Sequence, residues 1–137
     1  MAATGGNTGS QAATVVIRAL SLGEMTIKDW PKIIYKETKI SLMLSVCVAL
    51  LTFAKIAFLS FHNTLPDAIS LKFVALIISI AIAVQVITSA VIGASLPLIV
   101  RKFGGDPAVV ASPAITTIVD ITGLLIYFSV ASATLGI

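Results

Sequence analysis

Asp120 is the residue with the most reactive chemistry in this chain. It lies in "AVVASPAITTIVDITGLLIYFSVASATLGI", Ala108 to Ile137, which carries no other charge. A carboxylate in so apolar a run is costly unless it faces protein or water. A helix turns about 100° per residue, so Ser112, Thr116, Asp120, Gly123 and Tyr127 share one stripe, with Thr117 beside it. Ile118, Ile121 and Leu125 point elsewhere. Hydroxyls, a carboxylate and a glycine along one face line a path for a hydrated cation. The structural alternative is an interhelical tether, with Asp120 paired to Lys55 or Arg18. A second polar stripe opens the chain. Asn7, Ser10, Gln11 and Thr14 follow helical spacing, and Gly6, Ser10 and Thr14 form a row beside them that Arg18 continues. A third row, Gln85, Ser89, Gly93 and Pro97, reads as a packing face, because small residues let helices approach and Gln bonds across.

Other chemistries are excluded. "GGNTGSQ" lacks the Lys-Ser/Thr ending of a phosphate loop, and Asn7-Thr8-Gly9 is not a glycosylation acceptor. No Ser/His/Asp or Cys/His set supports catalysis, so the chain is not read as an enzyme. His62 is the single histidine and has no second ligand at helical spacing. Cys47 is the single cysteine, so no internal disulfide forms, and it reads as a small buried thiol.

The elements that position these residues follow from composition. Of 137 residues, 58% are hydrophobic and 11% charged, with a mean hydropathy of +1.09. Soluble domains carry about 25% charged residues. The fold class is therefore all-α integral membrane. Three runs are long enough for the roughly 20 residues a spanning helix needs: 40–61, 73–100 and 108–135. The segment 1–22 reads as the end of a fourth helix or as an amphipathic piece at the interface, since its apolar part, Gln11 to Leu22, is too short to span. Residues 28–39 read as a short interfacial helix, with Asp29 as N-cap and Pro31 in the first turn. Lys32, Lys36 and Lys39 share one face, opposite Trp30, Ile33 and Ile34. In the third span Asp106 is an N-cap and Pro107 opens the helix. Pro113 then frees a backbone carbonyl, read equally as a kink or as a group facing a hydrated cation. The net charge of +3 does not point to nucleic acid, because the basic residues flank apolar runs. By the excess of Lys and Arg, the Arg18–Lys39 and Arg101–Asp106 loops are cytoplasmic. The "HNTLPD" loop and the C-terminus then face outward. The N-terminus has no secretory-signal pattern.

"GGNTGSQAATVVIRAL", "GASLPLIVRKFG" and "GDPAVVASPAITTIVDITGLLIYFSVA" resemble the MgtE family of magnesium channels and transporters. The resemblance covers nearly the whole chain. It implies a five-helix transmembrane domain, of which this chain holds the end of the second (pore) helix and the third, fourth and fifth. It further implies a homodimer with its pore between the two chains, in the inner membrane of the cell as a multi-pass protein. The acid of the "DITG"-like motif maps onto Asp120 as the Mg²⁺ ligand. Gly6, Asn7, Ser10, Thr14, Ser112 and Thr116 are carried over as pore-lining. The expected function is Mg²⁺ transport, with the hydrated ion, substrate and ligand at once, captured by Asp120. Two alternatives stand beside it: a non-transporting membrane subunit with Asp120 as tether, and an ion-coupled divalent-cation carrier.

Overall fold

The structure is a computed structural model that describes residues 2–60, 71–110 and 113–135. Ser112, His62, Phe61 and the loop "HNTLPD" lie outside the described residues. The described chain is helical, without strands: α1 (Ala2–Ser21), a 3-10 turn (Ile27–Asp29), α2 (Trp30–Ser60), α3 (Leu71–Lys102), a second 3-10 turn (Pro107–Val110) and α4 (Pro113–Leu135). α2, α3 and α4 are long and apolar enough to cross a membrane.

α1 forms against its own composition. Each interior glycine costs a helix about 1 kcal/mol relative to alanine, and Gly5, Gly6 and Gly9 all lie in its first half. Their compensation is tertiary, because all three stand where α3 or α4 comes closest. Further along, α1 buries Ala12, Ala13, Val16 and Ala19. It stops at Gly23, whose φ of 70° suits a residue without Cβ. There the N–H of Glu24 donates to Ala19 O at 3.0 Å and that of Gly23 to Leu20 O at 3.3 Å, a Schellman closure. α3 ends the same way at Gly104, with Gly105 N donating to Val100 O at 3.0 Å. Basic residues occupy both final turns, Arg18 in α1 and Arg101 and Lys102 in α3, where they complement the helix dipole.

Asp29 works back toward Thr26, accepting from its N–H at 3.0 Å and its hydroxyl at 2.8 Å. The chain then enters α2, with Pro31 in the first turn. The lysine-bearing segment and the first apolar run form one helix. Its 31 residues extend about 46 Å at 1.5 Å each. That exceeds the roughly 30 Å of a bilayer core, so the end carrying Lys32, Lys36 and Lys39 extends beyond it.

α3 is the inner helix. Half of its apolar window is buried, against 6% for α2 and 17% for α4. It packs against each of the other three helices, and α1 also meets α4. Its buried line runs through Ala75, Ala81, Val86, Ala90, Ala94 and Leu98. Gly93 marks the closest crossing, since a Cβ there would run into the backbone of Gly9. Pro97, one turn on, offers no N–H to the Gly93 carbonyl, and α3 continues through it. Cys47 departs from expectation: it is exposed on α2, because α2 buries so little of its apolar surface.

The segment opened by Pro107 also differs from the sequence reading. Pro107–Val110 is a 3-10 turn, in which Asp106 Oδ1 accepts from Ala108 N at 2.9 Å. Pro113 opens the described part of α4, and residues 111–112 before it lie outside the described residues.

Candidate functional site

The candidate site is the junction of α1, α3 and α4. A Cβ placed on Gly6 would stand 3.1 Å from Asp120 Oδ1 and 3.6 Å from the methyl carbon of Thr116. The bare backbone of α1 therefore lies directly against the α4 turn that carries the carboxylate. Asp120 is half-buried. Its Oδ1 is shielded from solvent and has no hydrogen-bond partner among the described residues. It forms no ion pair with Lys55 or Arg18; the ion pair found among the described residues joins Lys32 to Asp29 at 3.9 Å. A tether to those two cations is therefore not formed within the described chain.

The hydroxyls near it are committed locally. Thr116 Oγ1 donates to Pro113 O at 3.0 Å and Thr117 Oγ1 to the same oxygen at 2.8 Å. Thr14 Oγ1 donates to Ser10 O at 2.8 Å. A hydroxyl whose proton is used this way keeps its lone pairs as acceptors. Ser10 Oγ is shielded and unpartnered, like Asp120 Oδ1. Asn7, Ser10 and Thr14, with Gln11 and Val15, line an open groove of about 490 Å³ along α1. Asn7 and Thr14 are exposed, whereas Gly6 is buried against α4.

The α4 stripe does not remain on one surface. Gly123, assigned to the same face as Asp120, is buried against α3, where a Cβ would overlap the Gln85 amide. Gln85 is 1% exposed, and neither its Nε2 nor its Oε1 has a hydrogen-bond partner among the described residues. On the α1 side, a Cβ on Gly5 would stand 2.6 Å from Gln85 Nε2 and 2.9 Å from Ser89 Oγ. The Gln85 side chain thus occupies space that two glycines on two other helices leave open. The packing face read from Gln85, Ser89, Gly93 and Pro97 is buried throughout. Its contact with the Asp120 neighbourhood was not visible in the spacing, because periodicity orders residues within a helix and not between helices.

Comparison with known proteins decides the family. The model of the MgtE family, described as a divalent cation transporter, matches residues 1–130. The chain belongs to the MgtE family. Curated relatives include the magnesium transporter MgtE of Thermus thermophilus, 36% identical over 128 residues, covering 93% of this chain and 26% of that protein. The magnesium transporter MgtE of Bacillus subtilis is 34% identical over 129 residues, with 93% and 26% covered. That of Enterococcus faecalis is 30% identical over 129 residues, with 94% and 26% covered. This MgtE chain thus spans about a quarter of the length of these relatives.

Of the MgtE residues singled out in the sequence, Gly6, Thr116 and Asp120 come together at one helix crossing. Asn7, Ser10 and Thr14 lie on the adjoining groove, and Ser112 is outside the described residues. No group of three or more His, Cys, Asp or Glu side chains able to hold a metal occurs among the described residues. Among the described residues a dehydrated ion would therefore find too few protein ligands beside Asp120.

Proposed function

We propose that this chain conducts magnesium ions across the inner cell membrane as part of a pore formed with a second copy, and that Asp120 captures the hydrated ion. The observation that carries the reading is the shielded, unpartnered Oδ1 of Asp120 beside Gly6 and Thr116. An uncompensated carboxylate oxygen at membrane depth is expensive without a cation or water. The names of the relatives supply the ion.

The chemistry suits Mg²⁺ as substrate. Mg²⁺ gives up its waters reluctantly, so a site with few charges and many acceptors serves it better than a dry cage. One Asp120 per chain provides two at a twofold axis. Two carboxylates balance the divalent charge, and their mutual repulsion raises the cost of the empty, doubly ionised state. The hydroxyl of Thr14, with Ser10 and Asn7, offers acceptors to the retained waters, and the resemblance puts Thr116 and Ser112 on the same path. The bare backbone at Gly6 keeps the wall close to the carboxylate. With the Arg18–Lys39 and Arg101–Asp106 loops in the cytoplasm and the C-terminus outside, an inside-negative potential draws the ion inward. Two charges gain about 4.6 kcal/mol per 100 mV.

Asp120→Asn and Asp120→Ala in the full-length protein test this reading by Mg²⁺ uptake into cells or liposomes. The Asn variant keeps shape and removes charge, and both are expected to lower uptake by about tenfold or more, a loss of ~1.4 kcal/mol or more. Unchanged uptake in both removes Asp120 from the path.

A further inference from the structure

Lys36 and Glu37 are neighbours where α2 passes from its charged end to its apolar run. Lys28, Lys32, Lys36 and Lys39 precede Ile40 to Ala54, a stretch of α2 without charge. Tyr35 is exposed, and Lys39 Nζ lies 4.6 Å from the centre of its ring. Basic and aromatic residues together mark the level of lipid headgroups. Glu37 is an acid set among these lysines. It is 9% exposed and has neither a hydrogen bond nor an ion pair among the described residues. Lys36 is exposed and makes no ion pair with it.

Both residues line a groove of about 220 Å³ between α1 and α2, floored by Ala90 of α3. On α2 the lining runs from Lys36 and Glu37 through Ile40 and Ser41 to Leu44. Charged groups therefore stand at the headgroup end, and apolar ones lie deeper. Ile40 and Leu44, with Val15 on α1, are exposed. Ser41 Oγ donates to Thr38 O at 3.0 Å, so it offers a ligand only lone pairs. Gln11 of α1 adds an exposed amide, which donates and accepts. An ammonium and a carboxylate in one lining oppose each other as a site for a simple ion of either sign. They complement a molecule that carries both charges a few atoms apart, above an apolar body.

We propose that this groove binds the headgroup of a phospholipid with a primary ammonium, phosphatidylethanolamine. Lys36 meets the phosphate and Glu37 the ammonium. A primary ammonium donates three hydrogen bonds, and the groove offers three acceptors: the Glu37 carboxylate, the Ser41 hydroxyl and the Gln11 amide oxygen. The start of the acyl chains lies along Val15, Ile40 and Leu44. Two other headgroups fit less well. A trimethylammonium has no N–H to donate, and an anionic headgroup without an amine leaves Glu37 facing a phosphate uncompensated. The groove shares no lining residue with the Gly6–Thr116–Asp120 crossing. The proposal depends on α2 lying in a membrane, for which its length and hydropathy suffice, and not on the ion transported.

The test is native mass spectrometry of the full-length protein titrated with phosphatidylethanolamine, phosphatidylcholine and phosphatidylglycerol of identical acyl chains. Wild type is expected to retain phosphatidylethanolamine severalfold better than either of the others. Methylating the headgroup amine once and then twice should lower retention stepwise, a measurement that needs no variant. Glu37→Gln keeps the shape and removes the charge, and should bring phosphatidylethanolamine down to the level of phosphatidylcholine. Lys36→Gln should weaken both, since they share the phosphate. Lys32→Gln, on the same helix but outside the groove, should leave the ratio unchanged. A thermal melt shows that each variant folds. Equal retention of phosphatidylethanolamine and phosphatidylcholine by wild type overturns the proposal. A preference that survives Glu37→Gln also overturns it, because the groove is then covered by another segment of the longer protein or by a second copy. Phosphatidylglycerol retained as well as phosphatidylethanolamine, and lost on Lys36→Gln, would mean that the lysines hold any anionic lipid and that Glu37 selects nothing.

Discussion

Gly6 and Asp120 show how a residue without a side chain shapes one that has chemistry. The carboxylate oxygen stands 3.1 Å from where a Gly6 Cβ would be. Alanine there would force the carboxylate to move by a few tenths of an ångström, and a branched side chain would displace it. Gly6→Ala is expected to lower Mg²⁺ uptake severalfold while the protein still folds. Gly6→Val should lower it more than Gly6→Ala does. Uptake measured beside a thermal melt separates the two effects, since a purely structural glycine would lose both together. The type and spacing of Asp120, Thr116, Ser10 and Gly6 were legible in the sequence. The approach of Gly6 to Asp120 was not, because they lie 114 positions apart and no local rule relates their helices.

Among the elements, α1 is the least self-sufficient. Its three early glycines weaken it as an isolated helix, and packing against α3 and α4 offsets that loss. The crossing at Gly9 and Gly93 is the tightest point, and there the obstructing atoms are backbone that cannot rotate away. Gly93→Ala is therefore expected to push α1 off α3. The destabilisation should be about 1–3 kcal/mol, the usual cost of overpacking, read as a lower melting temperature in detergent or nanodiscs. The fall should exceed that for an exposed position such as Ala54→Gly. Sequence periodicity identified the Gln85–Pro97 row as a packing face. It could not show that Gln85 occupies space left by Gly5 of one helix and Gly123 of another. The same limit explains Gly123, placed by angle alone on the face of Asp120 and found against α3.

Seen as a whole, the molecule has an inner helix, α3, and outer helices with wide apolar faces. α2 buries only 6% of its apolar window, and Leu51 is 71% exposed while Ala90 on α3 is 2% exposed. With Trp30→Phe removing the single native tryptophan, a tryptophan at Leu51 should be quenched strongly by brominated lipid. One at Ala90 should be quenched weakly, provided a melt shows that the variant folds. Equal quenching would mean that α2 is covered by protein in the bilayer. The amino-acid sequence by itself determined the class of this protein. An 11% charged chain lacks the polar surface a water-soluble fold requires, and the spacing of its polar residues marked Asp120 and the Gly6–Thr14 row. Only the tertiary structure decided which helix is inner and which glycines admit a neighbour. The reason is physical. Hydropathy and periodicity record how each residue relates to solvent and to its own helix, whereas helix crossings depend on the fit of distant surfaces.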